Sequence, residues 1–276
     1  MRIRELEYEF GVRLFDTSNR RAKLTAKGQE FLPYAEELLR MVDEITVKMT
    51  DPTAVAGTIR LGVGETIVVT WLSAFVEAMK RRHPKVLLVV EIDLADGLWR
   101  KFRSGLLDVV VVSTVLREPG ISYEPLGEFE YCWMASPSLG ISRETLTPAE
   151  LSTFPILSLP DSSTIFQMTV EWFTRHGASP KWTNHSGSLN TLVSLAEAGL
   201  GVSLLPATLI KKRARSRKLQ KISVSPAFPL IDFSVAYESH SVSPTIRATV
   251  EQLRNSSTFK VSAGRRPGGE PSRPEG

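Results

Sequence analysis

The sequence predicts an α/β protein of two successive lobes, headed by a short helix, a basic hairpin and a long amphipathic helix. Three observations carry this. From Thr58 onward, apolar strands such as TIRLGV and LDVVVVS alternate with helix-length amphipathic stretches, the pattern of parallel sheets with right-handed crossovers. The same scheme starts again after Pro137. Ahead of it, Phe31, Ala35, Leu38, Val42, Ile45 and Met49 recur at spacings of 4, 3, 4, 3 and 4, the seam of a two-stranded coiled coil and narrower than the stripe of a core helix.

At 276 residues with 42% apolar content, the chain can bury one large core or two ordinary ones plus a small one. No apolar run approaches the roughly 18 residues of a membrane span, and Met1-Arg2-Ile3-Arg4 leads into charged helix. A cytoplasmic protein without a membrane partner is expected. The net charge of +4 permits a nucleic-acid partner without arguing strongly for one. The single cysteine, Cys132, sits in the apolar run FEYCWMA and reads as a small buried hydrophobe. His83, His176, His185 and His240 are scattered, and no HExxH, CxxC, GxSxG or phosphate-loop spacing occurs. No metal, cofactor or enzymatic nucleophile is therefore expected; the best dispersed triad would join His185 to Ser186 or Ser188 and a nearby acid.

Taken in order, Ile3, Leu6 and Phe10 share one helical face, Gly11 permits a tight exit, and Val12, Leu14 and Phe15 return as apolar anchors. Asp16 to Lys23 is a turn in which Arg20, Arg21 and Lys23 alternate with small or polar residues, as in a hairpin that lays cations along phosphates. Thr25 caps the long helix, Pro33 bends it, and Asp51-Pro52 with Ala56-Gly57 ends it. One helix from Thr66 to Arg82 follows the first strand, with Val68, Val69, Leu72, Phe75, Val76 and Met79 facing inward. Lys80, Arg81, Arg82 and His83 offset its dipole, and Pro84 stops it. VLLVVEIDL is a strand, Asp96 caps a helix running to Ser104, and LDVVVVS is a strand buried on both faces. ISYEPLG and EFEYCWMAS lead to Pro137, where the chain is expected to cross to the second lobe. There Thr147-Pro148-Ala149-Glu150 forms a capping box, and PILSLP, Thr164 to Arg175, WTNHS, Ser188 to Ala198 and GVSLLP alternate strand and helix. The basic run Lys211, Lys212, Arg213, Arg215, Arg217, Lys218 and Lys221 lacks interleaved aromatic residues and reads as a solvated helix end. LIDFSVAYES crosses back, Pro244 to Leu253 closes the fold, and the glycine- and proline-rich tail does not fold.

Leu6-Glu7, Gly11, Leu14-Phe15, Arg20-Arg21, Leu24-Thr25 and Gly28 resemble the second half of the DNA-binding motif of LysR-type transcriptional regulators. Gly57 to Phe75, Gly105 to Val111 and EAGLGVSLLP at Glu197 to Pro206 resemble that family's effector domain, which is itself similar to type II periplasmic binding proteins. The resemblance implies a partial winged helix-turn-helix over residues 1–25, a linker dimerisation helix over 26–56 and an effector-binding domain over 57–263. Within the last, lobe I would take 57–135 and 236–263 and lobe II 136–235, leaving 264–276 as a tail. It implies further that the first two helices and the start of the recognition helix precede Met1, so that DNA binding by this chain is weakened. Thr17 replaces the arginine usual two residues after the Leu-Phe pair. Double-stranded DNA, contacted by Arg2, Arg4, Arg20, Arg21 and Lys23, a homodimer or homotetramer, and a small polar or carboxylate-bearing effector are the implied partners. A small-molecule-binding protein without a DNA role is the alternative.

Ligands of open α/β sheets bind beyond the carboxyl ends of strands, near helix N-termini. The stretches Gly64-Glu65-Thr66, Ala95-Asp96, Asp161-Ser162-Ser163-Thr164 and Gly187-Ser188 fall there. By resemblance Thr66, Ser163 and Ser188 match positions near the effector cleft, although each hydroxyl could merely cap its own helix. Glu65, Asp96 and Asp161 would repel a carboxylate unless they face solvent or a cation, so an amine-bearing or neutral polar effector also fits.

Overall fold

The computed structural model describes residues 2–16, 22–50, 54–113, 117–141, 144–209, 218–240 and 242–260. Thr17, Arg20, Arg21, Lys211, Lys212, Arg213, Arg215, Arg217 and the 264–276 tail lie outside the described residues.

Helix α1 (Arg2–Phe10) leads into strands β1 (Phe15–Asp16) and β2 (Lys23–Leu24), which pair antiparallel, and then into the 25-residue helix α2 (Ala26–Thr50). Mutual backbone constraints fix this head. Gly11 adopts φ +64°, a conformation glycine reaches at little cost, and turns the chain out of α1. The Glu7 carboxylate accepts from the amides of Phe15 at 3.0 Å and Leu14 at 2.7 Å, and these bonds hold it below its ordinary pKa. Thr25 Oγ1 accepts from the amide of Gly28 at 3.0 Å and donates to the Arg13 carbonyl at 2.6 Å, which caps α2 as expected. Gly28 lies so close to the turn that a Cβ on it would stand 2.0 Å from the Leu14 carbonyl oxygen. Helix α2 continues through Pro33. Of its seam residues, Phe31 packs edge-on against Phe10 and Ala35 is half-buried, while Leu38, Val42, Ile45 and Met49 are exposed.

Ten strands form the two lobes: β3 (Gly57–Val63), β4 (Val86–Ile92), β5 (Val109–Ser113), β6 (Ile121–Phe129), β7 (Tyr131–Ala135), β8 (Pro155–Ser158), β9 (Lys181–His185), β10 (Val202–Pro206), β11 (Gln220–Ile222) and β12 (Ile231–Glu238). They make two five-stranded sheets, ordered β4-β3-β5-β12-β6 and β11-β7-β10-β8-β9. The parallel core expected from the alternation is present in β4-β3-β5 and β10-β8-β9, and antiparallel strands extend it: β12 runs antiparallel to β5 and β6, and β7 antiparallel to β10 and β11. The chain crosses at Glu130 and not at Pro137, because YCWMA hydrogen-bonds to the second sheet. It returns before Ile231, so the sheets divide the chain a few residues earlier than the expected boundaries at 135 and 235.

Two helices replace the single one expected after β3. Trp71, at φ −135° and ψ 4°, separates α3 (Glu65–Thr70) from α4 (Leu72–Arg82) and buries its indole edge-on to Phe259. The resulting offset brings Ile67, Trp71, Phe75 and Met79 inward and leaves Val76 exposed, contrary to expectation. Arg81 pairs with Glu77 within α4, while Arg82 donates at 3.0 Å to Gln252, far along the chain. Helix α5 (Ala95–Arg103) is not capped by Asp96, which lies in its first turn; Asp93 instead accepts from the Leu94 amide at 2.8 Å. In the second lobe the Thr147–Glu150 capping box forms on α6 (Pro148–Leu151), and α7 (Thr164–Arg175) and α8 (Leu189–Glu197) follow. A closing helix, Pro244–Ser256, packs on the first lobe.

One apolar cluster runs through both lobes, from Leu61, Trp71 and Phe259 past Phe129 and Tyr131 to Trp133, Trp172 and Phe173. Separate clusters cover the other faces, around Leu98 and Val110 in the first lobe and Leu192 and Leu205 in the second. Covering on both faces explains the unbroken apolar run of β5.

Gly28→Ala is expected to loosen the head by about 1 to 3 kcal/mol, the usual cost of overpacking. Amide hydrogen exchange at Leu14 and Phe15 should then accelerate by at least about tenfold. Unchanged protection would show that α2 and the turn separate freely.

Candidate functional site

A cleft of about 300 Å³ opens between the two sheets. Its walls come from the turn between β3 and α3, the loop between β4 and α5 and the end of β5 in the first lobe, and from the N-terminal ends of α7 and α8 in the second. This is the place where α/β sheets present strand ends and free helix amides to a ligand.

Of the residues singled out in the sequence, Glu65, Thr66, Ser163 and Thr164 line the cleft. Thr66 is buried, and its hydroxyl shares a short hydrogen bond with the phenol of Tyr131, whose pKa burial pushes well above the ordinary value. Glu65 reaches across from the first lobe and accepts a short hydrogen bond from the backbone amide of Leu189, the first residue of α8. A carboxylate of one lobe thus neutralises the positive helix end of the other. Ser163 is 4% exposed and precedes α7 without capping it.

Three expected residues stand elsewhere. Asp96 is exposed on the outer side of α5, because Asp93 takes the position at the strand end. Ser162 follows Asp161, whose carboxylate accepts the Ser162 amide at 3.0 Å and which faces a shallow outer surface of α7. Ser188 accepts from the Thr191 amide and caps α8, the plainer of its two readings. His185 meets Ser158 Oγ at 3.1 Å, while Ser186 engages Ser188, so the dispersed triad is not assembled.

Asp93 is the cleft residue that sequence reading missed. Its signal was present: an acid at the last turn of an apolar strand, immediately before a helix. Burial raises its pKa, but hydrogen bonds from Lys101 at 3.0 Å and from the Leu94 amide outweigh this, so the net shift is downward. Lys101 also pairs with Glu91, and both bonds raise its own pKa. Gly97 makes room for this arrangement, since a Cβ there would lie 2.3 Å from the Asp93 carboxylate. The apolar walls, including Leu98, Leu159, Ile165 and Phe233, could not have been assigned to one cavity from sequence.

Beyond the cleft, Arg4 and Lys23 are exposed on the head, and Arg2 begins α1. Cys132 is buried in β7, and burial pushes its thiol up to about 11. Among the described residues, no helix is long and apolar enough to cross a membrane.

Two mixed sheets joined by two crossings around an interlobe cleft define a two-lobe effector-binding domain of the type II periplasmic-binding-protein kind, carried behind a long helix. Residues 53–258 match the model of the LysR substrate binding domain, and the chain belongs to the LysR family of transcriptional regulators. Among curated relatives, a probable hydrogen peroxide-inducible genes activator of Mycobacterium leprae is 26% identical over 241 residues, covering 86% of this chain and 77% of that protein. Among solved structures, ArgP from Mycobacterium tuberculosis superposes with a TM-score of 0.68 at 22% identity, covering 95% of this chain and 88% of that one. Corynebacterium glutamicum OxyR, as a hydrogen peroxide-bound cysteine-to-serine mutant, gives 0.67 at 20% identity, covering 92% and 81%.

The Lys101 cluster makes stability depend on pH in a defined direction. A depressed Asp93 stabilises the fold above its ordinary pKa of about 3.9 and loses that contribution as pH falls through the lower folded value. Lys101→Met is therefore expected to lower the unfolding free energy from urea titration more at pH 7 than at pH 2, by no more than about 1 kcal/mol for so exposed a pair. An equal loss at both values would assign Lys101 a packing role alone.

Proposed function

We propose that this regulator senses a small polar metabolite in the interlobe cleft and transmits its binding to DNA through a dimer held by α2. The observation that carries the reading is the cleft itself, in which Thr66, Ser163, Thr164 and the interlobe carboxylate of Glu65 converge on one cavity. Binding there changes the balance between lobe arrangements only through different affinity for each. The exposed seam of Leu38, Val42, Ile45 and Met49 supports pairing of α2 with a second copy, as a homodimer or as half of a tetramer. Arg4 and Lys23, with Arg2, Arg20 and Arg21, supply cations for the DNA backbone, and a DNA partner places the protein in the cytoplasm.

Peroxide sensing, which the name of the mycobacterial relative suggests, is disfavoured for this chain. Its one cysteine is buried, and its thiol is held protonated by that burial. Catalysis is not invoked either, since the relatives are regulators.

A metabolite panel scanned by thermal shift and followed by calorimetry is expected to yield a ligand whose affinity falls about tenfold in Ser163→Ala. A ligand that binds equally well to Ser163→Ala and Thr164→Ala would place the site elsewhere. Sedimentation should show a dimer or larger species at micromolar concentration. Leu38→Glu with Ile45→Glu should move it to monomer, whereas a monomeric parent chain would remove the basis for the α2 pairing.

A further inference from the structure

We infer that the cleft selects a ligand with a protonated nitrogen on a compact apolar body, a primary ammonium or amidinium, and that Glu65 is the residue that sets this preference. The inference rests on the reading of the cleft as the effector site and names the chemistry of its occupant.

Charge is the first ground. Glu65 and Asp93 both line the cleft, and no lysine, arginine or histidine is among the described residues that do. Asp93 has cations in Lys101, shared with Glu91, and in the nearby Arg100, so the unpaired charge of the cleft rests on Glu65. Glu65 meets a backbone amide and no cation among the described residues. The amide engages one of its oxygens, and a carboxylate has about four acceptor sites in all. The N-terminus of α8 would ordinarily attract an anion, but Glu65 already occupies it, so an incoming carboxylate must displace a resident one. An ammonium instead finds an acceptor whose charge is not otherwise paired.

Ser163 supplies a second, independent ground. It lines the cleft at 4% exposure, gives no cap to α7, and its hydroxyl has no hydrogen-bond partner among the described residues. That hydroxyl opens on the cleft, where it can accept from an N–H donor of a guest. The remaining walls are apolar, with Leu98, Val111, Leu159, Ile165 and Phe233. At roughly 30 Å³ per atom, taken from water's share of liquid volume, the cavity suits on the order of ten non-hydrogen atoms.

Calorimetry on the full chain with benzylammonium, benzyl alcohol and benzoate tests this, since the three share one frame and differ in charge. Benzylammonium is expected to bind at least about tenfold tighter than benzoate. Glu65→Gln should remove that advantage while leaving benzyl alcohol unchanged, and Glu65→Asp should restore part of it. Gly64→Phe fills the cleft from a position whose Cβ has open space, and it should abolish binding of all three. Gly187→Phe, also open and on the facing wall, replaces it if that variant does not fold. Benzoate binding as tightly as benzylammonium, and lost in the filled cleft, overturns the ligand class but leaves the effector site standing. Binding that persists in the filled cleft, or no binding of any of the three at millimolar concentration, overturns both.

Discussion

The fold turns on one residue of extended chain. Phe129 ends β6 in the first sheet, Tyr131 begins β7 in the second, and only Glu130 lies between them. Such a short crossing fixes how the sheets meet, because neither strand can slide without breaking the ladder of the other. Aromatic packing holds the joint. Phe129 stacks on Phe259 at 4.7 Å and meets Tyr131 edge-on at 5.6 Å, so one apolar cluster continues from lobe to lobe. The buried phenol of Tyr131 then finds its polar partner in Thr66, at the floor of the cleft. A buried hydroxyl pair of this kind specifies one register, since slippage would leave both groups unsatisfied.

Glu65 is the counterpart of that joint on the open side of the cleft. The Tyr131 joint is built from covalent chain and ring packing, whereas the Glu65 contact is a carboxylate on a single helix-end amide. The first is costly to disturb and the second is cheap. A two-lobe protein with one firm edge and one weak edge has a natural direction of opening, and the weak edge is where a ligand with suitable chemistry can shift the balance. That shift is limited by the ligand's difference in affinity for the two arrangements.

The elements were largely legible in the sequence because their signals are local. The seam of α2, the capping box at Thr147, the unbroken apolar run of β5 and the glycine after α1 each declare themselves within a few residues. What was not legible depends on contacts distant in sequence. Trp71 breaks a helix that its neighbours would continue, because its indole is drawn to Phe259. YCWMA reads equally well as the end of one lobe or the start of the next, and only its pairing with Leu204 and Ile222 decides. In the cleft the hydroxyls at 66, 163 and 164 line the cavity, at the starts of α3 and α7 where the sequence marks strand ends meeting helices. Asp96 was preferred to Asp93 because a helix cap was the stronger local pattern, and Lys101, which settles the matter, lies eight residues away from Asp93.

The same geometry constrains how a signal leaves the cleft. Ala56, just beyond α2, is bound through both its backbone groups to the hydroxyl of Thr245, at the start of the closing helix. Gly57 then begins β3, the strand that runs to the cleft at Gly64 and Glu65. Among the described residues α2 thus meets the first lobe at β3, and the second lobe joins the first through the crossings, the shared apolar cluster and the Glu65–Leu189 contact. Rotation of the second lobe has two routes to α2. It must act through the first lobe, by bending the joint at Glu130, or through whatever the second lobe touches in another copy of the chain. The short link at Glu130 makes the first route stiff, and this favours an assembly in which contacts between copies carry the movement onward.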